Sequence, residues 1–216
     1  MKYSRERQRR QSLRLPNYDY ASSGAYFITL CTHERRYLFG EIMGGQMQLI
    51  PLGRIAQEEW VRSTQIRREV LLDAAVIMPN HVHGIVVIDA AIIGGAVGAT
   101  GRSPLQAGRS LQETPRVVRP GPPARSLPAF VAGFKSATTR RINEARALCT
   151  RLPVWQRNYY EHIIRNPGEL HRIREYIVQN PARWPEDLEN PSAQRLVTPA
   201  PWEPGRDRRN EGAPGL

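Results

Sequence analysis

Residues 76–88 read Val-Ile-Met-Pro-Asn-His-Val-His-Gly-Ile-Val-Val-Ile, and no other stretch constrains the fold as tightly. The β-branched apolar run, broken at Pro79-Asn80, reads as a strand turning into a second, buried strand. Alternate residues of a strand share a face, so His81 and His83 project side by side while Val82 turns away to pack. Two imidazoles on one rigid face form half of a divalent-metal site. The same pair also fits a hydrogen-bonded couple in the core.

The chain has 216 residues, enough for one sizeable domain with tails. Its 31 Lys and Arg against 20 Asp and Glu leave a formal charge of +11, which points to a polyanionic partner, nucleic acid before an anionic membrane surface. Most of the cations are arginine, which forks onto phosphates and stacks on bases. Cys31 and Cys149 stand alone, with no Cys-x-x-Cys spacing, which excludes a zinc knuckle or disulfide framework and fits a reducing compartment. Residues 76–99 are apolar, but Pro79, Asn80, His81, His83 and Asp89 interrupt them, so no spanning helix is expected. No apolar segment follows the basic N-terminus, so a signal peptide is not expected either, and the location is read as cytoplasmic.

In chain order, residues 1–22 are a basic arm containing Arg9, Arg10 and Arg14, of the kind that orders on nucleic acid. A catalytic domain is expected over 23–184. Ala25 to His33 reads as its first strand, and Gly44-Gly45 lies between two short strands as a hairpin turn. A proline-initiated helix follows from Pro51 to about Gln65, then the strand from Val70 to Met78. Gly, Pro, Arg and Ser crowd residues 92–126, read as a disordered insertion; no Gly-Lys-Ser/Thr follows its glycines, so it is not a phosphate loop. Leu127 to Leu148 reads as a basic helix, with Lys135, Arg140 and Arg141 as candidate phosphate contacts. Val154 to Arg165 reads as a strand, Gly168 to Gln179 as the last helix, and 185–216 as a loosely ordered tail. This order fits an α+β, ferredoxin-like antiparallel sheet with helices packed on one face.

The last helix is the second informative stretch. Leu170, Ile173 and Ile177 form its apolar stripe, and Tyr176 and Asn180, four apart, share one flank of it. A histidine pair, a carboxamide and a phenol make a metal-plus-nucleophile set for phosphoryl chemistry, although a tyrosine beside an apolar stripe also serves as packing.

Five blocks resemble the REP-associated tyrosine transposases, a branch of the single-tyrosine HUH transposases of small bacterial insertion sequences. They are Arg14 to Tyr20, Met78 to Gly84, Gly133 to Ser136, Trp155 to His162 and Tyr176 to Pro181, in the family's order over about residues 12–184. The resemblance implies the HUH nuclease fold, single-stranded or hairpin DNA as partner, no membrane, and a monomer or homodimer. It further implies Tyr176 as the nucleophile of DNA cleavage and rejoining through a 5′-phosphotyrosine. His81 and His83 become ligands of Mg2+ or Mn2+. Asn180 falls where related enzymes carry glutamine, as a third ligand on a shorter arm. His162 and Arg172 are supporting candidates, and Tyr159 and Tyr160 rival nucleophiles. Tyr18, Tyr20 and Trp155 are candidates to stack on unpaired bases.

Three other readings remain open at this level: a catalytically inactive DNA-binding protein on the same fold, a histidine-triad hydrolase and an RNA-binding module. Ile85 at the third alternating position argues against the triad.

Overall fold

A computed structural model describes residues 18–89, 122–147 and 151–193. Four antiparallel strands form the central sheet: β1 (Gly24–Cys31), β4 (Val70–Ile77), β5 (His81–Ile88) and β6 (Tyr160–Ile164), in the order β4-β5-β1-β6. A separate ribbon pairs β2 (Gly40–Met43) with β3 (Gln46–Leu49). Gly44 and Gly45 both take positive φ at its turn, the conformation that a two-residue hairpin requires. The helices are α1 (Pro51–Ile66), α2 (Leu127–Arg146) and α3 (Pro167–Gln179).

Strand alternation sorts the sheet into two faces. Tyr26, Ile28 and Leu30 of β1 and Val82, Val86 and Ile88 of β5 pack with Trp60 of α1 and Phe130, Phe134 and Ile142 of α2. Burying each of these phenylalanines contributes about 1.5–3 kcal/mol. Phe27 and Ile85 face the other way, onto Ile173 and Ile177 of α3. The expectation of helices on one face therefore holds for α1 and α2, while α3 lies on the opposite face. The reason is in β5: with both faces apolar, it must be covered on both sides.

Two backbone details set the layers. Trp60 lies flat against Gly84, where an added Cβ would come within 2.3 Å of the indole. In β4 the register slips between Leu72 and Ala75. Leu72 thus packs on the α1/α2 side, Ala74 and Val76 on the α3 side, and the slip contains Asp73. Arg174 of α3 holds Asp73 through three contacts of 2.5–3.2 Å. A β-bulge re-aims a side chain in this way, and here it ties the last helix to the sheet edge.

The hairpin, the helices and β5 lie where the sequence predicts them. The strand expected over Val154 to Arg165 is shorter: β6 begins at Tyr160, and Trp155 makes an isolated bridge to Thr32. The insertion is expected at 92–126 and lies mostly outside the described residues, as do Arg9, Arg10 and Arg14. Among the described residues, no helix is long and apolar enough to cross a membrane.

Candidate metal centre and tyrosine

His81 and His83 open β5 and point to the α3 face, opposite Cys31 and Thr29 of β1 in the ladder. Both are buried, at 0% and 2% exposure. Each imidazole is oriented through Nδ1: His81 Nδ1 lies 2.8 Å from Asn80 Oδ1 and His83 Nδ1 lies 2.9 Å from Thr29 Oγ1. The Asn80 amide has a fixed sense, because its Nδ2 donates to the carbonyls of Glu189 (2.7 Å) and Arg35 (3.3 Å). Asn80 Oδ1 is therefore the acceptor, and His81 carries its proton on Nδ1. Burial, and then the neighbouring His83, holds His81 well below its ordinary pKa, so the ring is neutral and Nε2 presents a lone pair. That Nε2 is buried with no hydrogen-bond partner.

The third corner comes from a segment the sequence analysis reads as tail. Residues 185–193 fold back against the site, with Asp187 and Asn190 buried. A short 3-10 turn, Trp184–Glu186, leads into Asp187. The turn is pinned from the β1–β2 connection: Tyr37 Oη donates to Asn190 Oδ1 (2.9 Å) and Arg35 donates to the Leu188 carbonyl (3.1 Å). Asp187 Oδ2 sits 4.0 Å from His81 Nε2 and 3.9 Å from His83 Nε2. Two atoms each about 2.1 Å from one ion can be at most about 4.2 Å apart, and both Asp187–histidine separations fall inside that limit. Ligand atoms of His81, His83 and Asp187 all lie within 4.8 Å of one another, and this group could hold a metal ion.

Asn180, expected as a ligand, does not occupy that corner. Its Nδ2 donates to Asp187 Oδ2 at 2.7 Å, and its Oδ1 is buried without a hydrogen-bond partner. Burial alone would raise the Asp187 carboxyl. The facing His83 and the Asn180 amide outweigh it and hold the group below the usual carboxylate range. No periodicity marks Asp187; in sequence it is one of three acids among residues 186–189.

Tyr176 lies on α3 with its hydroxyl 3.3 Å from His83 Nε2 and its ring against those of His83 and Phe27. Burial raises its pKa first, the charges of Asp187 and Glu189 raise it further, and the phenol is protonated. The helix that carries it is well anchored. Asn166 caps it by accepting from Glu169 N, and the Glu169 carboxylate accepts from Arg165 N (2.7 Å) and meets His162 Nε2 (2.7 Å). His162, expected near the site, thus sits at the N-terminus of α3, whereas Tyr176 lies three turns along. Arg172 is exposed one turn before Tyr176.

The rival tyrosines separate. Tyr159 packs in the α1/α2 layer. Tyr160 faces the α3 side, paired across Thr29 of β1. Of the two, only Tyr160 thus faces the histidine side of the sheet. Two strand spacings, about 10 Å, separate its backbone from that of His83.

The cations of α2 are not brought to this centre. Lys135 donates to the carbonyls of Gln156 (2.9 Å) and Asn158 (3.1 Å), and burial lowers its pKa to about 8. Arg140 pairs with Glu144 and Arg141 with Glu58 and Glu59 of α1, in the layer across the sheet from His81. Tyr18 and Tyr20, candidates to stack on bases, pack partly buried against that same layer, and Trp155, for which core packing is the favoured reading from sequence, is buried in it.

No family model matches the chain. An uncharacterized protein of Haemophilus influenzae is 38% identical over 186 residues, covering 86% of this chain and 96% of that protein. Two solved structures are similar. One is a REP-associated tyrosine transposase bound to a REP hairpin, at 17% identity and TM-score 0.48, covering 80% of this chain and 74% of that one. The other is a candidate transposase from Deinococcus radiodurans, at 18% identity and TM-score 0.35, covering 76% and 95%.

Proposed function

The chain belongs to one family with the Haemophilus influenzae protein, whose description names no activity; from the site itself we propose a single-stranded DNA transposase that cuts and rejoins through Tyr176. One observation carries the reading. The His81 lone pair and an Asp187 oxygen, both acceptors, face each other at 4.0 Å, beside the partly buried Tyr176 phenol. Acceptors are not left facing one another in a dry interior unless a cation lies between them. The oriented imidazoles follow the same logic, since metal-binding histidines hand their other N–H to a fixed partner.

On this reading His81, His83 and Asp187 hold Mg2+ or Mn2+, with Asn180 orienting Asp187 rather than serving as ligand. When bound, the ion would neutralise a phosphate oxygen and offset the Asp187 charge, which adds to burial in raising the Tyr176 pKa. The Tyr176 oxygen attacks phosphorus, a new O–P bond forms and the P–O3′ bond breaks. The phenol proton ends on the released 3′ oxygen. The 5′ side stays joined to the protein as phosphotyrosine, so a second 3′ hydroxyl reverses the step without ATP. On this reading Arg172, exposed one turn before Tyr176, supports the site from α3. The five sequence blocks shared with REP-associated enzymes support hairpin-containing DNA as the substrate class.

The test is to incubate the protein with end-labelled, single-stranded palindromic DNA and Mn2+, then map any covalent peptide–DNA adduct by mass spectrometry. The adduct is expected on Tyr176, lost in Tyr176→Phe and in Asp187→Ala. Adduct formation that persists in Tyr176→Phe and disappears in Tyr160→Phe would move the nucleophile to β6. Tight binding of the hairpin with no nicking under any divalent ion would leave a DNA-binding protein.

A further inference from the structure

We propose that Tyr37 and Trp184 form an aromatic ledge that takes an unpaired nucleobase next to the phosphate at the metal centre; the inference rests on the preceding reading. The Trp184 ring lies 6.0 Å from that of His81, tilted by 31°, so it walls the side of the buried imidazole. Tyr37 meets Trp184 edge-on at 5.8 Å and is 50% exposed. Leu188, one residue past Asp187, is 62% exposed beside them. A half-exposed tyrosine on a partly exposed tryptophan, contiguous with a phosphate-binding centre, is an arrangement with which single strands are held.

The backbone holds Tyr37 there at a cost. Glu34 and Arg35, both non-glycine, take positive φ (56° and 54°) just before it. Such conformations persist where the surrounding structure imposes them, often at binding sites. The arginines around the ledge are already matched: Arg35 with Glu189, Arg36 with Glu34 and Arg183 with Glu186. Binding at the ledge is therefore stacking rather than phosphate pairing, and its share of the affinity is insensitive to salt. Tyr18 and Tyr20 pack partly buried against the opposite layer and Trp155 is buried in it, so Tyr37 and Trp184 take the stacking role.

The experiment measures binding of a fluorescein-labelled thymidine oligonucleotide about 15 nucleotides long, with chelator present so that cutting plays no part. Tyr37→Ala and Trp184→Leu should each weaken binding about tenfold. Tyr37→Phe, which keeps the ring and loses only the hydrogen bond to Asn190, should bind like the parent. The parent-to-variant ratio should hold between about 50 and 200 mM salt, while overall affinity falls. A 5-iodouracil version of the probe should photocrosslink to Tyr37 or Trp184. Crosslinks elsewhere with both variants binding normally, or Tyr37→Phe as damaging as Tyr37→Ala, would overturn the ledge. A Tyr176–DNA adduct formed despite that outcome leaves the transposase reading intact. A stacking ledge without any adduct defeats the transposase reading alone.

Discussion

Asn80 is the residue whose removal separates a metal centre from a merely packed histidine pair. It is fully buried, accepts from His81 Nδ1 at 2.8 Å, and donates to the Glu189 carbonyl at 2.7 Å. Asn80→Ala leaves the His81 N–H without a partner in a dry interior, which costs about 1–3 kcal/mol of stability. It also frees the ring to change tautomer. Loss of such an orienting partner lowers metal affinity by about 10–100-fold. Asn80→Asp dissects the two effects. A carboxylate still accepts from Nδ1 and makes the imidazole a better ligand, but it can no longer donate to Glu189 and Arg35, so stability falls while metal affinity holds. Calorimetric titration with Mn2+ reads affinity, and thermal melts in chelator read stability. If Asn80→Ala binds Mn2+ as the parent does, within about twofold, His81 is not a ligand and the reasoning fails.

Gly84→Ala forces a Cβ to 2.3 Å from the Trp60 ring, and overpacking of this kind should cost about 1–3 kcal/mol in a urea melt. Acid should destabilise the metal-free protein in two steps. His81 is neutral when folded but protonates in the unfolded chain below about pH 6.5. Asp187 stays ionised when folded while its unfolded counterpart protonates below about pH 3.9. Unfolding midpoints should therefore fall from pH 7 to pH 3, and Asp187→Asn should flatten the lower part of that curve. Glu169→Ala removes the acceptor for Arg165 N and the partner of His162. It should weaken α3 by about 1–2 kcal/mol, with amide exchange rising in the first turn of the helix before it rises at Tyr176.

Much of this was readable from local pattern. Strand alternation put His81 and His83 on one face, and the stripe of Leu170, Ile173 and Ile177 placed Tyr176 beside it, because both follow from backbone periods. Side-chain networks in irregular chain have no period. Asp187 follows a 3-10 turn held by Tyr37, Arg35 and Asn80, all distant in sequence, and its neighbours Glu186 and Glu189 look identical as letters. Asn180, read from sequence as a third ligand, instead donates to Asp187 Oδ2, a bond no spacing in the sequence marks. The α2 cations mislead for the opposite reason: composition counts charges, while Lys135 and Arg141 are spent on carbonyls and on Glu58 and Glu59.

The turn that delivers Asp187 has a consequence for how the protein comes into being. Both imidazoles are synthesised long before the carboxylate, and the strands of their sheet all precede residue 165. A nascent or prematurely terminated chain that stops short of residue 187 thus has the scaffold but an open coordination corner. On the proposed function, such a chain would lack the Asp187 corner of the metal centre and would not cut.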